Sequence, residues 1–406
     1  MKKDSKSNSK KSKGSTVKRK KIPANVKTLL YTRAGGRCQL CQTYLLDSED
    51  IGYYEFNRGE MAHIVGQSLN AASPRSDYPL PKEFRDDVDN LMLLCAAHHD
   101  TIDEAIARGD FTVELLRELK QKREAHIKHV TGIPQSHKTC IIRLVGRIRG
   151  NTVQITRSEC NGATLFHNPS RFADFSLDFH QQGVEVDITS LGEPEENSQY
   201  YSMAKMFVDQ KIHIIRQGIE GGAIEHLSIF AFARIPILIY LGFQVGNKVG
   251  NTIFQRRRVD TKHWHWIQES PTQQFEWIHL QNFADKRKVA LILNISGSIQ
   301  IEELPDDIKT NYNIYLIRTK ETAPNPDAIL TQESLQEFRK CFRLFLANIE
   351  VNHKIAKNIH LFPSIPLSVA IACGLDLMHH SQPELIIYDR MPIQFISVLS
   401  VNSPQY

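Results

Sequence analysis

Two short cysteine and histidine pairs constrain the fold of this 406-residue chain more than any other feature of its sequence. The first pair is Cys38-Gln-Leu-Cys41, and the second is Cys95-Ala-Ala-His98, which follows the apolar run Leu91-Met-Leu-Leu94. Structural zinc sites take four Cys or His ligands in a tetrahedron, usually from two such pairs that the fold brings together. The sequence therefore predicts a zinc ion that holds two distant loops of one domain. The alternative is that His98 is an ordinary histidine on a helix surface.

Seven cysteines are too few for a disulfide scaffold in a chain of this length, and three of them belong to the two pairs. The N-terminus has no apolar signal segment, and apolar stretches such as 235–243 are shorter than the roughly 18 residues of a membrane-spanning helix. We therefore expect a soluble, cytoplasmic protein with no membrane partner. The remaining cysteines are interpreted as small buried residues: Cys140, Cys160, Cys341 and Cys373.

Positive charge is concentrated at the N-terminus. Residues 1–21 hold ten Lys or Arg and one Asp, a net charge of +9, so the +5 of the whole chain leaves −4 for the rest. A segment rich in Lys and Ser and poor in apolar residues cannot bury a core, and we predict a disordered tail over residues 1–22. Two roles stay open for it: an arm that holds polyanionic DNA near the protein, or a solubilising extension.

The rest of the chain divides into two predicted domains. Residues 23–135 are dense in Cys and His and close with a helical pattern over 113–130, for which Thr112 is a suitable N-cap. Gly and Pro then favour a junction at 133–138. Residues 140–406 alternate short apolar runs with helical patterns, which is typical of an α/β domain with a largely parallel sheet. The predicted strands are 227–233, 252–256, 289–295, 313–317, 358–362 and 384–388.

One pattern occurs twice in the second domain. In residues 227–258 and again in 359–390, a strand leads to an Ile-Pro pair, an apolar helical run, a glycine and another strand. Proline suits the first turn of a helix and glycine its C-terminal exit, so chance use of common helix signals is one explanation. The recurrence of order and spacing favours the other, two copies of one βαβ unit. The shared signals are Ile235-Pro236 with Gly242, and Ile365-Pro366 with Gly374.

Three more residues lie between and beside the zinc pairs. They are His63 in Met61-Ala-His-Ile64, Asn90 in Asp89-Asn-Leu91, and His99 directly after His98. With them, residues 30–105 resemble the HNH endonuclease family, whose ββα-metal motif presents a histidine on the first strand, an asparagine at the start of the second and a histidine on the helix. The resemblance implies a ββα-metal nuclease module with a structural zinc held by Cys38, Cys41, Cys95 and His98.

The resemblance also implies a role for each of these residues. Hydrolysis of a phosphodiester needs an activated water and a cation that stabilises the developing negative charge. We predict His63 as the general base, because a neutral imidazole can take the water's proton near cellular pH. Asn90 is expected to orient His63 by hydrogen bonding or to lend an oxygen to the metal. His99 is expected to bind a catalytic Mg²⁺ or a similar divalent ion.

The chain departs from the family pattern at Ala62. Many HNH enzymes carry an acidic residue or a histidine that binds metal immediately before the general base, and this chain has an alanine there. Either Glu60 or Asp103 supplies the missing ligand, or the ion is bound more loosely. We place Glu60 in the predicted ligand set together with His99 and Asn90.

The second domain carries cations beside aromatic residues. Phe254-Gln-Arg-Arg-Arg258 precedes Trp264-His-Trp266, a combination that suits phosphate binding and base stacking. The alternative is that the arginines end a solvated strand and the tryptophans pack into the core. Together with Ser228-Ile-Phe-Ala231 and Leu293-Asn-Ile-Ser-Gly297, these residues resemble the SAVED domain. This family senses cyclic oligonucleotides with two fused CARF-like (Rossmann-like) halves, and the resemblance covers about residues 145–406.

The SAVED resemblance implies a ligand pocket. Open α/β sheets bind ligands at the carboxyl ends of their strands, and helix N-termini suit phosphates. If the duplication is real, the turns before Pro236 and Pro366 face each other across a pseudo-twofold axis. The predicted residues for a cyclic di- or trinucleotide are Arg234, Gln255, Arg256, Arg258, Trp264, Trp266, Ser296, Phe362 and Ser364.

An HNH module followed by SAVED looks like the effector nucleases of CBASS, the bacterial antiphage system that signals through cyclic oligonucleotides. This implies a nuclease that degrades double-stranded DNA, with little sequence preference, once the nucleotide binds. It also implies a homo-oligomer, a dimer or a tetramer, in the activated state. Two other functions stay open: a restriction-type HNH nuclease whose second domain recognises modified DNA, and a non-catalytic zinc-finger protein that binds DNA.

Overall fold

The computed structural model describes residues 21–48, 55–70, 73–173, 183–257, 264–267, 269–379 and 381–403. The chain forms two compact units, Met1–Gly132 and Ile133–Tyr406, which divide at the start of the segment predicted as a junction. Almost all of the predicted basic tail, and Arg258 of the predicted ligand pocket, lie outside the described residues. None of the helices within the described ranges combines the length and the apolar composition that crossing a bilayer requires.

The first unit is built on an antiparallel strand pair followed directly by a helix. Residues 59–63 and 91–95 pair so that Gly59 lies opposite Cys95 and His63 lies opposite Leu91. The second of these strands is almost entirely apolar and buried, and the helix begins at the next residue. The elements are α1 (Ala24–Ala34), β1 (Leu46–Ser48), β2 (Glu55–Asn57), β3 (Gly59–His63), β4 (Leu91–Cys95), α2 (Ala96–Asp103) and α3 (Val113–Thr131).

A small apolar core joins these elements. Leu30 of α1, Leu93 of β4, Ile102 of α2 and Leu116 of α3 are all fully buried in one cluster. Complete burial of such a side chain contributes about 1.5–3 kcal/mol. Helix α3 begins as predicted, because the Thr112 side chain accepts a hydrogen bond from the Leu115 backbone N–H at 3.2 Å.

The second unit begins with a parallel sheet. Its strand order is β6-β5-β8-β9, with β7 also beside β5. Strand β8 is buried along nearly its whole length, as expected for a parallel sheet that is covered on both faces. The elements are β5 (Lys138–Val145), α4 (Arg157–Leu165), β6 (Phe172–Ala173), β7 (Gly183–Asp187), α5 (Ser198–Glu220), β8 (His226–Phe232), α6 (Ile235–Val245) and β9 (Gly250–Ile253).

A second sheet follows in the same unit, with the order β10-β12-β11-β13-β14-β15. Its central strands are parallel, and β10 and β15 are antiparallel edge strands. Every strand predicted from the sequence is found. The largest difference in bounds is for the strand predicted over 252–256, which is β9 (Gly250–Ile253). The elements are β10 (Phe275–Gln281), β11 (Val289–Asn294), α7 (Asp306–Asn311), β12 (Asn313–Thr319), α8 (Gln332–Asn352), β13 (Asn358–Ser364), α9 (Leu367–Leu375), β14 (Glu384–Arg390) and β15 (Phe395–Val401).

The repeated pattern in the sequence corresponds to two βαβ units, β8-α6-β9 and β13-α9-β14, both with parallel strands. Their helices touch through glycines. A Cβ on Gly242 would collide with the carbonyl oxygen of Ile371, and a Cβ on Gly374 would collide with that of Ile239. The contact is reciprocal, as a pseudo-twofold axis requires. Both glycines lie inside their helices, and the close approach of the two helices explains why glycine stands at these positions.

Candidate functional site

The two Cys/His pairs meet in the first unit. One ligand atom from each of Cys38, Cys41, Cys95 and His98 lies within 4.8 Å of all the others. Cys95 Sγ is 3.1 Å from His98 Nδ1, and Cys41 Sγ is 3.9 Å from Cys95 Sγ. Ligand bonds of about 2.0–2.3 Å in a tetrahedron separate the ligands by roughly 3.3–3.8 Å. The donor set and its spacing therefore fit a single metal ion.

Gln39, which lies between Cys38 and Cys41, attaches the first Cys/His pair to strand β4, where the second pair begins. The Gln39 backbone N–H donates to the Leu93 carbonyl, and the Gln39 side-chain oxygen accepts from the Leu93 N–H, both at 2.9 Å. Burial alone raises the pKa of the Cys41 thiol, but hydrogen bonds involving Thr43 outweigh it and lower that pKa to about 6. The sulfur that lies nearest the surface is thus readily available as a thiolate, the form that binds metal.

His63, the predicted general base, ends strand β3. Its Nε2 lies 3.0 Å from Oδ1 of Asp86, and its Nδ1 has no hydrogen-bond partner among the described residues. Gln67 Nε2 donates to both oxygens of the same carboxylate, at 2.9 and 3.2 Å. Sequence reasoning missed Asp86, because an aspartate in a loop that lacks a motif carries no signal of its partner.

Asn90 does not contact the His63 ring. It is 3% exposed, and its Oδ1 accepts from the Val65 backbone N–H at 2.9 Å. Its Nδ2 donates to the carbonyls of Val65 and Arg85, both at 2.8 Å. The backbone thus uses both polar atoms of the side chain, which corrects the expectation that Asn90 hydrogen-bonds His63 or lends an oxygen to a metal. Asn90 instead holds the loop that follows His63.

His99 lies between two carboxylates. Its Nδ1 is 2.6 Å from Glu60 Oε2, and its Nε2 is 3.5 Å from Asp103 Oδ2. The hydrogen bond to Asp103 is the largest effect on the pKa of His99; with Glu60 it raises that pKa in spite of burial. Burial raises the pKa of Asp103, but His99 and Arg75 outweigh it, so that pKa is lowered. Ala62, the position at which this chain departs from the family pattern, is fully buried in the core.

Arg75 connects the loop after His63 to the end of α2, and sequence reasoning missed it as well. Its Nε donates to the Ile64 carbonyl at 2.6 Å. Its two terminal nitrogens donate to the Ile102 carbonyl at 2.7 Å and to Asp103 Oδ1 at 2.9 Å. One guanidinium thus fixes the segment of His63 relative to the segment of His99 and Asp103. Bonds from arginine to backbone carbonyls leave no pattern in a sequence.

The second unit contains a cavity of about 520 Å³ at the carboxyl ends of its parallel strands. The N-terminal residues of α6 and α9 border it, and neither helix has a side-chain cap from its N-cap residue. Free N–H groups at helix N-termini attract anions. Five predicted residues line this cavity: Arg234, Gln255, Arg256, Ser296 and Ser364.

Arg234 is already paired within the protein. Its Nε donates to Asp389 Oδ2 at 2.8 Å, and a terminal nitrogen lies 3.4 Å from Glu195 Oε2. The Tyr201 hydroxyl donates to the same Asp389 oxygen at 2.6 Å. Burial by itself lowers the pKa of Arg234, but Asp389 and Tyr201 outweigh it and raise that pKa. The guanidinium therefore connects the two halves of the unit and is not a free phosphate ligand.

Three other arginines line the cavity, and one of them, Arg390, pairs with Glu303 at 3.1 Å. Arg149 is exposed and has no ion-pair partner within the ranges that the structure describes. Arg256 Nε is buried without a hydrogen-bond partner there, and its guanidinium lies 5.7 Å from the centre of the Phe232 ring. Gln255 accepts a hydrogen bond from the Ser368 backbone N–H at 3.0 Å, which caps α9 from the other half of the unit. Sequence reasoning found Arg256 and missed Arg149.

The predicted aromatic residues do not line the cavity. Trp264 is 1% exposed and packs edge to face on Phe230, with ring centres 5.4 Å apart. Trp266 is partly buried against the core, and Phe362 is fully buried in a stack with Tyr388. The expectation that these rings stack on bases was wrong, because burial of large apolar rings stabilises the fold. The rings that do line the cavity are Phe232 and Phe395.

Comparisons with known proteins agree with the division of the chain into two units. Residues 38–107 match the model of a family described as HNH endonuclease. Residues 209–401 match the model of SAVED, described as the SMODS-associated and fused to various effectors sensor domain. None of the curated proteins matches the chain.

Solved structures that match include Cap4 SAVED/CARF-domain containing receptors. The receptor from Acinetobacter baumannii with the cyclic trinucleotide 3'3'3'-cAAA is 13% identical, with a TM-score of 0.43, over 75% of this chain and 61% of that chain. The same receptor with 2'3'3'-cAAA is 15% identical, with a TM-score of 0.42, over 75% and 60%. The receptor from Moraxella osloensis is 13% identical, with a TM-score of 0.40, over 80% and 62%. This chain thus spans about three fifths of their length. On the two family matches, the chain joins an HNH endonuclease module to a SAVED sensor domain.

Proposed function

We propose that this protein is a metal-dependent endonuclease that cleaves double-stranded DNA when its SAVED domain binds a cyclic oligonucleotide. One observation carries the proposal: the chain combines two different sites. The first unit holds His63 and His99 beside the Cys/His cluster, and the second holds an arginine-lined cavity between two Rossmann-like halves. Such a nuclease would act as an antiphage effector of the CBASS type, with little DNA sequence preference.

Zinc is the ion that we assign to Cys38, Cys41, Cys95 and His98. Three sulfurs and one imidazole nitrogen in a tetrahedral arrangement are a donor set that zinc prefers in structural sites. The ion would have no part in hydrolysis. It would hold the loop after α1 against the start of α2, so that β3, β4 and α2 keep the catalytic residues in place.

A catalytic divalent ion such as Mg²⁺ would stabilise the negative charge that develops on the phosphate and on the leaving oxygen. His99 Nε2 lies 3.5 Å from Asp103 Oδ2, and this distance suits two ligands of one ion. Glu60 lies at the opposite nitrogen, where a carboxylate commonly fixes the orientation of a metal-binding histidine. We therefore assign Asp103 and His99 as ligands and Glu60 as the residue that orients His99.

The cavity supports an anionic ligand with more than one phosphate. Its volume lies in the range of roughly 300–1,000 Å³ that is usual for small-molecule sites. Arg149 and Arg256 offer two uncommitted positive charges, and the N-termini of α6 and α9 add partial positive charge. Cyclic di- and trinucleotides carry one charged phosphodiester for each nucleotide. This charge pattern supports a ligand of that class.

Activation by assembly follows from the geometry of the reaction. A single HNH site cuts one strand, so two copies must meet on a duplex to break both strands. Binding of the nucleotide would shift the SAVED domain toward a state that forms a homo-oligomer, a dimer or a tetramer. Comparison of the solution mass with and without nucleotide measures this step, and full activity of a ligand-free monomer would contradict it.

The decisive experiment is plasmid degradation with Mg²⁺ against a panel of cyclic di- and trinucleotides, with the His63→Ala variant in parallel. We expect degradation with the wild type, one or a few of the nucleotides and the metal, and loss of degradation with EDTA. Cleavage of methylated DNA without any nucleotide would instead favour the restriction-type nuclease. DNA binding without cleavage under every condition would favour the zinc-finger protein.

A further inference from the structure

The carboxylate of Asp86 contacts two side chains, those of His63 and Gln67. Its side chain is 22% exposed, and that of His63 is 19% exposed. Oδ1 lies 3.0 Å from His63 Nε2, and Gln67 holds both carboxylate oxygens from the other side. A carboxylate that accepts from two side chains has a defined orientation as well as a defined position.

Buried polar residues fix the backbone on both sides of this contact. Arg85 is 1% exposed, and one terminal nitrogen of its guanidinium donates to the carbonyls of Gly66 at 2.6 Å and Ser68 at 2.9 Å. Arg85, the residue before Asp86, is thereby attached to the loop that follows His63. Such buried bonds to a charged donor are costly to break, about 1.5–3 kcal/mol each.

Asn90 makes the second attachment. Its Nδ2 donates to the Arg85 carbonyl, directly before Asp86, and also to the Val65 carbonyl. One amide group thus holds together the segment that carries the base and the segment that carries its carboxylate partner. Asn90 acts on the pair through the backbone and not on the His63 ring.

We propose that Asp86 is a positioning residue that fixes His63 with Nε2 protonated and Nδ1 free to act as the base. The inference rests on the proposed nuclease function of His63. An ionised carboxylate only accepts hydrogen bonds, so the nitrogen that faces Asp86 carries the proton. The lone pair is then on Nδ1, the nitrogen that has no partner among the described residues.

Hydrolysis of the phosphodiester at this site conserves protons. Nδ1 takes one proton from water, and the hydroxide oxygen forms a bond to phosphorus. The bond from phosphorus to the leaving oxygen breaks, and its electron pair stays on that oxygen, which takes a proton from solvent. The ring becomes a cation whose Nε2–H still points at Asp86, and Asp86 keeps its negative charge and stabilises the cation.

The test compares Asp86→Asn with Asp87→Asn in the full chain. Asp87 is the exposed neighbour, and its side chain makes no cap bond, so the two variants lose the same charge one residue apart. Under activating conditions, we expect Asp86→Asn to lower kcat about 10- to 100-fold, which does not exceed the lower limit of the roughly 10²- to 10⁴-fold that a general base itself contributes. We expect KM for DNA and the Mg²⁺ concentration for half-maximal rate to stay unchanged.

Several results would overturn the assignment. Equal kinetics of the two variants would mean that Asp86 does not act on the base. A higher Mg²⁺ requirement would make Asp86 a metal ligand, and loss of zinc or a lower melting temperature would make its role structural.

A second readout is independent of cleavage. In proton NMR of the full chain, the hydrogen-bonded Nε2–H of His63, assigned by its loss in His63→Gln, should disappear in Asp86→Ala and persist in Asp87→Asn. Persistence in Asp86→Ala would overturn the inference even if no DNA were cleaved. Failure of the wild type to cleave DNA with any nucleotide would count against the proposed function alone.

Discussion

The two units of this chain achieve a stable fold in different ways. The first unit has a small apolar core around β3, β4, α1 and α2. It adds a cluster of four Cys and His side chains that fits a metal ion, and the hydrogen-bonded polar residues Arg75, Arg85 and Asn90. The second unit has a large apolar core that includes residues of both sheets, and two smaller apolar clusters beside it. The second unit thus depends mainly on apolar contacts, and the first adds polar attachments and a potential metal site to a smaller core. The difference predicts which changes each unit tolerates.

The largest expected effect is loss of the metal from the first unit. Structural zinc contributes about 10–16 kcal/mol in small domains, more than the total stability of a typical domain. His98→Ala, or removal of zinc by a strong chelator, should therefore unfold the first unit while the second keeps its melting transition. Zinc analysis together with limited proteolysis measures both responses. The neighbouring change His99→Ala is the control and should leave the metal and the fold in place. Retention of a protease-resistant first unit without zinc would contradict the comparison.

The second unit should be most sensitive where its helices touch. Gly374→Ala places a methyl group against the Ile239 carbonyl, and we expect it to destabilise the second unit by about 1–3 kcal/mol or more. Gly162→Ala is the matched control, because Gly162 lies within α4 with open space around its Cα. There the helix preference of alanine should stabilise by up to about 1 kcal/mol. Urea unfolding curves of both variants provide the measurement, and equal midpoints would show that the helix contact is not close.

His63, the proposed general base of the first unit, should contribute to rate and not to stability. His63→Ala should reduce DNA cleavage about 10²- to 10⁴-fold, the usual contribution of a general base, and should leave the melting temperature and the zinc content unchanged. His213→Ala, an exposed histidine on α5, is the control and should cleave like the wild type. Cleavage that survives His63→Ala with zinc retained would move the base elsewhere.

A further expected effect is on ligand affinity in the second unit. Arg149→Ala and Arg256→Ala should each weaken binding of the activating nucleotide by about 1.5–3 kcal/mol, roughly 10- to 150-fold, because each removes a charged hydrogen-bond donor. Arg234→Ala should instead destabilise the unit, because it leaves Asp389 and Glu195 without their cation.

Calorimetric titration of the nucleotide measures the affinity of these variants. Arg287→Ala is the control, since Arg287 pairs with Asp285 on the surface and does not line the cavity. Unchanged affinity in both Arg149→Ala and Arg256→Ala would place the ligand elsewhere.

Much of the fold could be predicted from local patterns. The Cys/His spacing predicted that the four side chains cluster, Thr112 predicted the start of α3, and the apolar runs predicted six strands of the two sheets. The repeated Ile-Pro and Gly signals predicted two βαβ units. Each of these signals lies within a short stretch of chain, where the backbone and its nearest side chains decide the structure.

The details of the sites could not be predicted in the same way. Trp264 was placed in the ligand pocket because it lies close in sequence to arginines, yet its ring is in the core. Arg234 was expected to bind phosphate, yet it pairs with carboxylates far along the chain. Charge and aromaticity tell what a side chain can bind, and only packing tells which of its possible partners it meets.

The sequence by itself determined the Cys/His cluster, six of the strands and the internal duplication, because each depends on spacing along the chain. The tertiary structure alone decided that Asp86 meets His63 across 23 positions and that Arg234 meets Asp389 across 155. The physical reason is that a carboxylate gains as much from one cation or N–H donor as from another. The fold brings one of them within hydrogen-bond distance and leaves the others out of reach.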